Sequence, residues 1–553
     1  IDSTLRHTLR RLNLFQANVV YSSGGGFYLL ASNTKKSKEM LAQIEHEISN
    51  KLFEIHKTTL FAAMDSVAIS HKALLPVKYN IDIKTEGISN VWKELTGKLN
   101  IKKRIRYAEK MIDDYPDFFN PVEQGGESRK NRDSITGEEF TEDEQRIELR
   151  DGSFVKKNTN EQIELGKELK KARYRIIAEH DFKNILNLKN SYNPLGLGFY
   201  YHFLSDRPEN IPDNSIIQTV NNFDSELYKK NAGYAIGFTF YGGNDYPAYN
   251  ADIIDEAGDK HYKGESLSFS DLAGDGEFRR LGILRMDVDN LGQLFINGLS
   301  ENKRTFSRYS TLSRNLDYFF SGFLNIIQQD EKYKNSCYIV YSGGDDLFIT
   351  GKWNLLLDMA KEIRETFARW TCKNPNISVS GGLAVVTHKF PVLKAAKEAK
   401  DEEDNAKKYK NDIAGFEKNA FSLWGHALSW ETGFEFDIVQ QLKTNFLNLI
   451  SLEKIPKSIL GNISAFAELR KHQLAIGKNQ SWQWQMSYQL ARLAKQYKET
   501  EAAKLADEVK TDVFANTFRG EKKLLNYHYL ELLNIAVRWA ELEYRTNKNM
   551  DKQ

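Results

Sequence analysis

The chain has 553 residues, 41% of them hydrophobic and 27% charged, with a formal net charge of +2. That length allows three to four domains of ordinary globular composition, and the near-zero charge excludes a global polycation or an acidic sink. Two cysteines, Cys337 and Cys372, exclude a disulfide scaffold and a four-cysteine zinc site. No apolar run approaches the roughly 20 residues of a bilayer span, so the sequence reads as soluble and cytoplasmic, with no membrane partner.

In chain order, a helix is expected over 3–14. Tyr21-Ser22-Ser23-Gly24-Gly25-Gly26-Phe27-Tyr28-Leu29-Leu30 reads as a tight turn entering an apolar strand. Leu41, Ile44, Ile48 and Leu52 then mark one face of a helix, and 59–69 reads as a further strand. Residues 121–165 are polar and poor in aliphatics, as in a long loop. Three basic clusters make a polyanion-facing surface plausible: Lys102, Lys103, Arg104 and Arg106; Arg129, Lys130 and Arg132; Lys170, Lys171, Arg173 and Arg175.

Residues 341–350, Tyr-Ser-Gly-Gly-Asp-Asp-Leu-Phe-Ile-Thr, align without gaps on 21–30. Leu356, Met359, Ile363 and Phe367 repeat the helix spacing, and 377–387 reads as the following strand. This second copy is preceded by a buried-strand run, Leu281–Val288, and by a helical stretch, Thr311–Gln328. The order β-α-β-turn-β-α-β is ferredoxin-like, so the chain is expected to carry a duplicated α+β module. Nothing upstream supplies the first strand of copy one, so its N-terminus reads as cut through a domain. From 430 onward glycine is rare and apolar residues recur at helical spacing, as in Ile438, Leu442, Phe446 and Leu449, giving an all-helical region. Trp482 and Trp484 are assigned there to a core or a partner groove, with core preferred.

In a ferredoxin-like sheet the first strand lies beside the third. Asp287, in Asp287-Val288-Asp289-Asn290-Leu291-Gly292, is then expected to face Asp345 of the second turn. Paired carboxylates repel and raise each other's pKa unless a cation neutralises them, and oxygen ligands of this kind suit Mg²⁺ or Mn²⁺. Two such ions about 3.5–4 Å apart activate a hydroxyl and stabilise a leaving pyrophosphate. Gly343 and Gly344 admit a phosphate chain to the backbone, and the turn Asn290-Leu291-Gly292 offers N–H groups to the same phosphates. The chemistry expected is nucleotidyl transfer. In copy one Gly25 and Gly26 replace the two aspartates, so Ser23, Gly24 and Gly25 are expected to hold a second nucleotide by backbone contacts without a metal.

These residues resemble the large subunit of type III CRISPR effector complexes, the Csm (type III-A) kind, over nearly the whole chain. The motifs are Tyr-Ser-Gly-Gly-Asp-Asp-Leu-Phe, Asp-Val-Asp-Asn-Leu-Gly and the degenerate Tyr-Ser-Ser-Gly-Gly-Gly-Phe-Tyr. The resemblance implies an α+β fold with two ferredoxin-like palm domains. The first, at 1–75, is degenerate and N-terminally truncated, and the second, at 276–429, is catalytic. An α/β linker domain is implied at 76–275 and a helical C-terminal domain at 430–553.

It further implies a cyclase that joins ATP into cyclic oligoadenylates when the complex captures target RNA. Its partners would be guide RNA, target RNA and other Csm subunits. By position, Asp287, Asp345 and Asp346 would be catalytic and metal-binding. Ser342, Gly343, Gly344 and 290–292 would contact nucleotide, and Lys407 would hold a triphosphate. Two departures stand out. The linker lacks the family's Cys-x-x-Cys zinc motifs, and the His-Asp metal nuclease is absent. The only His-Asp pair, His180-Asp181, reads as a helix-end pair, so no DNase activity is expected. Two alternatives remain: a diguanylate-cyclase-like signalling enzyme, disfavoured by Asp346 and by two modules in one chain, and a non-catalytic RNA-complex scaffold.

Overall fold

The computed structural model describes residues 1–23, 25–74, 87–113, 115–119, 132–141, 144–229, 233–255, 258–274, 278–300, 303–412, 414–477, 481–521 and 525–550. They form two compact units, one of residues 1–265, 290–326 and 342–345, the other of 266–289, 327–341 and 346–553. Among the described residues no helix is long and apolar enough to cross a membrane.

The first unit opens with helix α1 (Asp2–Arg11) and the hairpin β1 (Val19–Ser23)–β2 (Gly26–Leu29), in which Ser23 pairs with Gly26. Helix α2 (Lys35–His56) follows, capped by Thr34, whose side chain accepts the Ser37 N–H. Ile44, Ile48 and Leu52 are buried, so the 3–4 spacing read in the sequence is the packed face of this helix. The strand expected at 59–69 does not form. Side chains near the C-terminal end of helix α3 (Ile88–Arg104) and beyond it take up that segment's carbonyls instead of a ladder: Lys98 Nζ donates to Ser66 O (3.0 Å), Lys102 Nζ to Met64 O and Tyr107 Oη to Leu60 O. Ala62 and Met64 still pack on the Ile44–Ile48–Leu52 cluster, so the apolar pattern is satisfied without a sheet.

The stretch 121–165 is not simply a loop. Residues 120–131, with Gly125, Gly126, Arg129 and Lys130, lie outside the described residues. Beyond them β3 (Arg146–Glu148) and β4 (Phe154–Lys156) pair antiparallel and run into helix α4 (Lys157–Lys171). In this region without a zinc motif, the buried Asp133 is the tie: its carboxylate accepts the N–H groups of Ile135 and Thr136 (both 2.9 Å) and Lys156 (2.7 Å). A four-stranded sheet follows, in the order β6 (Tyr200–Leu204), β5 (Tyr174–Ala178), β7 (Ile216–Val220), β8 (Ala235–Thr239). Ile177, Tyr201, Phe203 and Val220 pack with Leu165 and Leu169 of α4. His180-Asp181 lies beyond the end of β5, not at a helix end. The neighbouring buried His202 takes the Phe182 N–H on Nε2 (3.0 Å), with Asp181 Oδ1 at 3.4 Å. The helices α5 (Leu291–Asn297) and α6 (Phe306–Asp317) also belong to this unit, and a π-helical turn over Tyr318–Phe323 continues α6.

The second unit is built on a six-stranded sheet. Its strands β9 (Arg280–Val288), β10 (Cys337–Gly343), β11 (Asp346–Lys352), β12 (Val379–Thr387), β13 (Ala420–Leu423) and β14 (His426–Ser429) run in the order β10-β11-β9-β12-β13-β14. The first four reproduce the ferredoxin-like order, with strand one beside strand three. β9 is central, and Leu281, Ile283, Leu284, Met286 and Val288 are all buried, as expected of a strand covered on both faces. Helix α7 (Trp353–Trp370) sets the buried Leu356, Met359, Ile363 and Phe367 on one stripe, with Leu356 close over Gly282.

Helix α8 (Val392–Lys407) covers the other side of the strands, its Ala395 and Ala399 against Leu281, Ile283 and Ala384. The approach is backbone-close: a Cβ on Gly382 would stand 2.5 Å from Glu402 and the Glu403 N. Five helices complete the unit: α9 (Glu435–Ser451), α10 (Ser458–Ala475), α11 (Ser481–Gln496), α12 (Glu501–Ala515) and α13 (Tyr529–Met550). Trp482 is buried, but Trp484 is 64% exposed, against the expectation of a shared core. The two residues sit on different faces because a helix advances about 100° per residue.

Candidate nucleotidyl-transfer site

The residue facing Asp287 across the β9–β11 ladder is Asp346, not Asp345. The hairpin explains the difference. Its strands end at Gly343 and resume at Asp346, so Gly344 and Asp345 are the two turn residues. Gly344 adopts φ +72°, which glycine reaches without the cost a side chain brings. Directly opposed residues of an antiparallel pair hold their Cβ atoms about 4.5–5.5 Å apart, so the two carboxylates share one face. On its other side Asp287 pairs with Ser380 of β12.

Helix α8 supplies the charges over this face. Lys407 Nζ is ion-paired with Asp287 Oδ2 and lies 3.3 Å from Glu403 Oε1, one helical turn back. Glu403, itself buried, also holds Arg285 Nε (3.0 Å) and Lys400 Nζ (3.0 Å). Burial pushes the Asp287 carboxyl up, with Glu403 and Asp346 adding to it, and the Lys407 contact only partly offsets this. Burial also raises Asp346, against opposing help from Tyr341 and Arg285. For Glu403 burial is outweighed by Lys400, Lys407 and Arg285, so its carboxyl is held below the usual range. Lys407 is raised because Asp287 and Glu403 outweigh its burial.

The sequence singled out Asp287, Asp346 and Lys407, which the structure brings together, but not Glu403 and Arg285, which stand beside them. The signal available was the 403/407 spacing on a helix that follows the last palm strand, hidden in a run crowded with charge. It also left undivided the two aspartates of Asp-Val-Asp. Asp289 accepts from Ser378 Oγ (2.7 Å), Ser380 Oγ (2.9 Å) and the Asn419 N–H (3.1 Å) on Oδ2, so it fastens β9 to its neighbours.

Ser342 Oγ donates to Phe320 O, so its hydroxyl is engaged within the protein. Asn290 takes the left-handed conformation (φ 55°) at the start of α5, and Leu291 and Gly292 form that helix's first turn. In copy one, Gly25 has φ +80° and Ser23 ends β1, while Gly24 lies outside the described residues.

A divalent cation fits the donor set at Asp287. Its Oδ1 is buried without a hydrogen-bond partner, and a second burdened carboxylate stands across the ladder. Among the described residues no group of three or more His, Cys, Asp or Glu side chains could hold a metal ion alone. Two carboxylates completed by phosphate and water is the usual manner of holding Mg²⁺.

Residues 280–414 match the family model of the Cas10/Cmr2 second palm domain, and residues 1–121 match that of Csm1 subunit domain B. The chain is 28% identical over 470 residues to a Methanocaldococcus jannaschii protein described as a CRISPR system single-strand-specific deoxyribonuclease Cas10/Csm1 of subtype III-A. That alignment covers 78% of this chain and 55% of the relative. Over most of its length the chain is similar to Cas10/Csm1 proteins of subtype III-A. A Mycobacterium tuberculosis Cas10/Csm1 of the same description is 28% identical over 444 residues, covering 76% and 50%.

The chain thus spans about half the length of the curated Cas10/Csm1 relatives it matches. Among solved structures, an apo Csm1–Csm4 cassette superposes with a TM-score of 0.63 at 19% identity, over 98% of this chain and 65% of that one. The cassette in complex with cA4 gives 0.60 at 18%, over 98% and 65%, and that with one ATP gives 0.61 at 19%, over 97% and 64%. The Cas10/Csm1 fold, α+β palms followed by helices, is the fold of this chain.

Proposed function

We propose that this chain is the large subunit of a cytoplasmic type III-A CRISPR effector that converts ATP into cyclic oligoadenylates when target RNA is captured. It would also scaffold guide and target RNA together with other Csm subunits. The observation that carries the reading is the opposed pair Asp287–Asp346, with an unpartnered carboxylate oxygen under a helix that delivers Lys407. Support comes from relatives of the same fold whose structures are described with ATP and with cA4.

Asp287 and Asp346, with Asp345 beside them in the turn, would hold Mg²⁺ or Mn²⁺. The ion supplies activation of a 3′-hydroxyl and neutralises charge on the leaving pyrophosphate. Lys407, raised and therefore cationic at neutral pH, would hold a triphosphate. Glu403, 3.3 Å from its ammonium, keeps that charge over the site. Gly344, without a side chain, leaves the turn open to a phosphate chain. Ser342, with Asn290, Leu291 and Gly292, and Ser23, Gly24 and Gly25 in the degenerate hairpin, are the further nucleotide contacts of this reading.

Replacing Asp345 and Asp346 together with Ala in the assembled complex should lower ATP conversion at least ~100-fold with Mg²⁺ and matching RNA, while assembly persists. Unchanged oligoadenylate formation, read by mass, removes the reading. GTP converted in preference to ATP would move it to the diguanylate-cyclase-like class. No deoxyribonuclease activity is assigned to these residues, since His180-Asp181 follows a strand and His202 Nε2 is occupied by the Phe182 N–H. Cleavage of single-stranded DNA by the chain in Mn²⁺ would overturn that part.

A further inference from the structure

Helix α11 (Ser481–Gln496) has two unlike faces. Inward, Trp482, Met486, Leu490 and Leu493 are buried. The Trp482 ring stacks on Phe514 (centroids 6.2 Å), meets His528 edge-on and lies under Arg470, and its backbone N–H donates to Gln473 Oε1 (3.1 Å). Outward, Trp484 is 64% and Tyr488 61% exposed, one turn apart, and Arg492 and Lys495 continue the same stripe, both exposed. Neither cation has an ion-pair partner among the described residues. The sequence from Ser481 to Lys498 contains no Asp or Glu.

Two features decide what such a face fits. Every Leu and Met of the helix is turned inward, so the outer face does not present the long aliphatic side chains of a helix-packing seam. What it offers instead is flat aromatic rings followed by uncompensated positive charge. Any base can stack on an aromatic ring, and a cation row tracks a phosphate backbone. From Trp484 to Lys495 the helix rises about 16 Å, the span of roughly five nucleotides at about 3.4 Å each.

We infer that the outer face of α11 is a stacking platform for single-stranded RNA, with Trp484 and Tyr488 taking bases and Arg492 and Lys495 taking phosphates. The choice of RNA rests on the function proposed above; the platform itself stands on exposure and charge.

The test uses the full chain and a 12-nucleotide oligouridine. W484A/Y488A should weaken binding about tenfold or more, because each stacked base contributes measurably. R492Q/K495Q should flatten the slope of log K against log salt by about 1.4, two phosphates at about 0.7 each. Part of the tryptophan fluorescence should be quenched by RNA in the wild type and not in W484F. D345A/D346A should bind the oligonucleotide like wild type, so failure of the cyclase reading is scored separately. Unchanged affinity in W484A/Y488A overturns the platform. So does a result in which that variant loses a protein subunit from the assembled complex while RNA affinity stays the same.

Discussion

Asp287 and Asp289 sit two residues apart, each with a buried Oδ1 that has no hydrogen-bond partner, and differ in what their Oδ2 atoms hold. Asp289 spends its Oδ2 on three donors that join β9 to β12 and β13, so D289A leaves Ser378, Ser380 and the Asn419 N–H to find other partners. It should cost about 2–4 kcal/mol in chemical denaturation. Asp346 shows the reverse balance. Burial raises its carboxyl, so the folded state is most favoured below the usual carboxylate range and loses that favour as pH rises through the raised value. D346N should therefore stabilise the chain at pH 7, by up to about 1 kcal/mol after solvent screening, while ATP conversion falls. A denaturation midpoint that drops in D346N would contradict this. The charged residues of the site were legible one at a time; their partners were not. Glu403 reads as one more acid on a solvated helix until the helix is laid on the sheet, where three cations converge on it.

Elements differ in how far pattern alone fixed them. The helix stripes of α2 and α7 carry their own period, and both are buried as the spacing requires. The apolar run 59–69 has the composition of a strand but needs an edge to pair with, and long polar side chains hold three of its carbonyls instead. Two elements invite direct tests. G382A sets a methyl 2.5 Å from the α8 backbone and should cost about 1–3 kcal/mol, with Lys407 displaced and ATP conversion reduced. Among the C-terminal helices, His528 is pushed down to about 4 by burial and by Arg470, and its Nδ1 accepts the Leu530 N–H (3.2 Å). The neutral form is the folded form. Its contribution is therefore complete above about pH 6.5 and lost as pH falls toward 4, at most about 1–3 kcal/mol because the ring is partly exposed. Thermal unfolding of H528Q should show a shallower loss of stability over that window than wild type.

At the scale of the whole chain, the repeat was the decisive reading. Two hairpins 320 residues apart recur in the structure with their strands ending and resuming at aligned positions, Ser23 and Gly26 in one and Gly343 and Asp346 in the other, although the strands of the first copy are shorter, five and four residues against seven and seven. The one-residue shift from Asp345 to Asp346 escaped that reading because register depends on where a turn closes, which composition does not state. The bland net charge of +2 has its own consequence: with a sequence pI near 8.1, the chain approaches neutrality at mildly alkaline pH. Light scattering at low salt should find self-association greatest near pH 8 and reduced at pH 6.5.

The close seating of α8 on the sheet also bears on how this chain can vary. Ala395, Ala399, Glu403 and Ala406 form its buried line, while Leu393, Lys394 and Lys397 face outward. In a saturation library scored by soluble yield, substitutions should be rejected in a four-four-three rhythm along this helix and accepted between those positions. Random drift through this charge-rich stretch of the sequence would then carry a readable imprint of the sheet face beneath it.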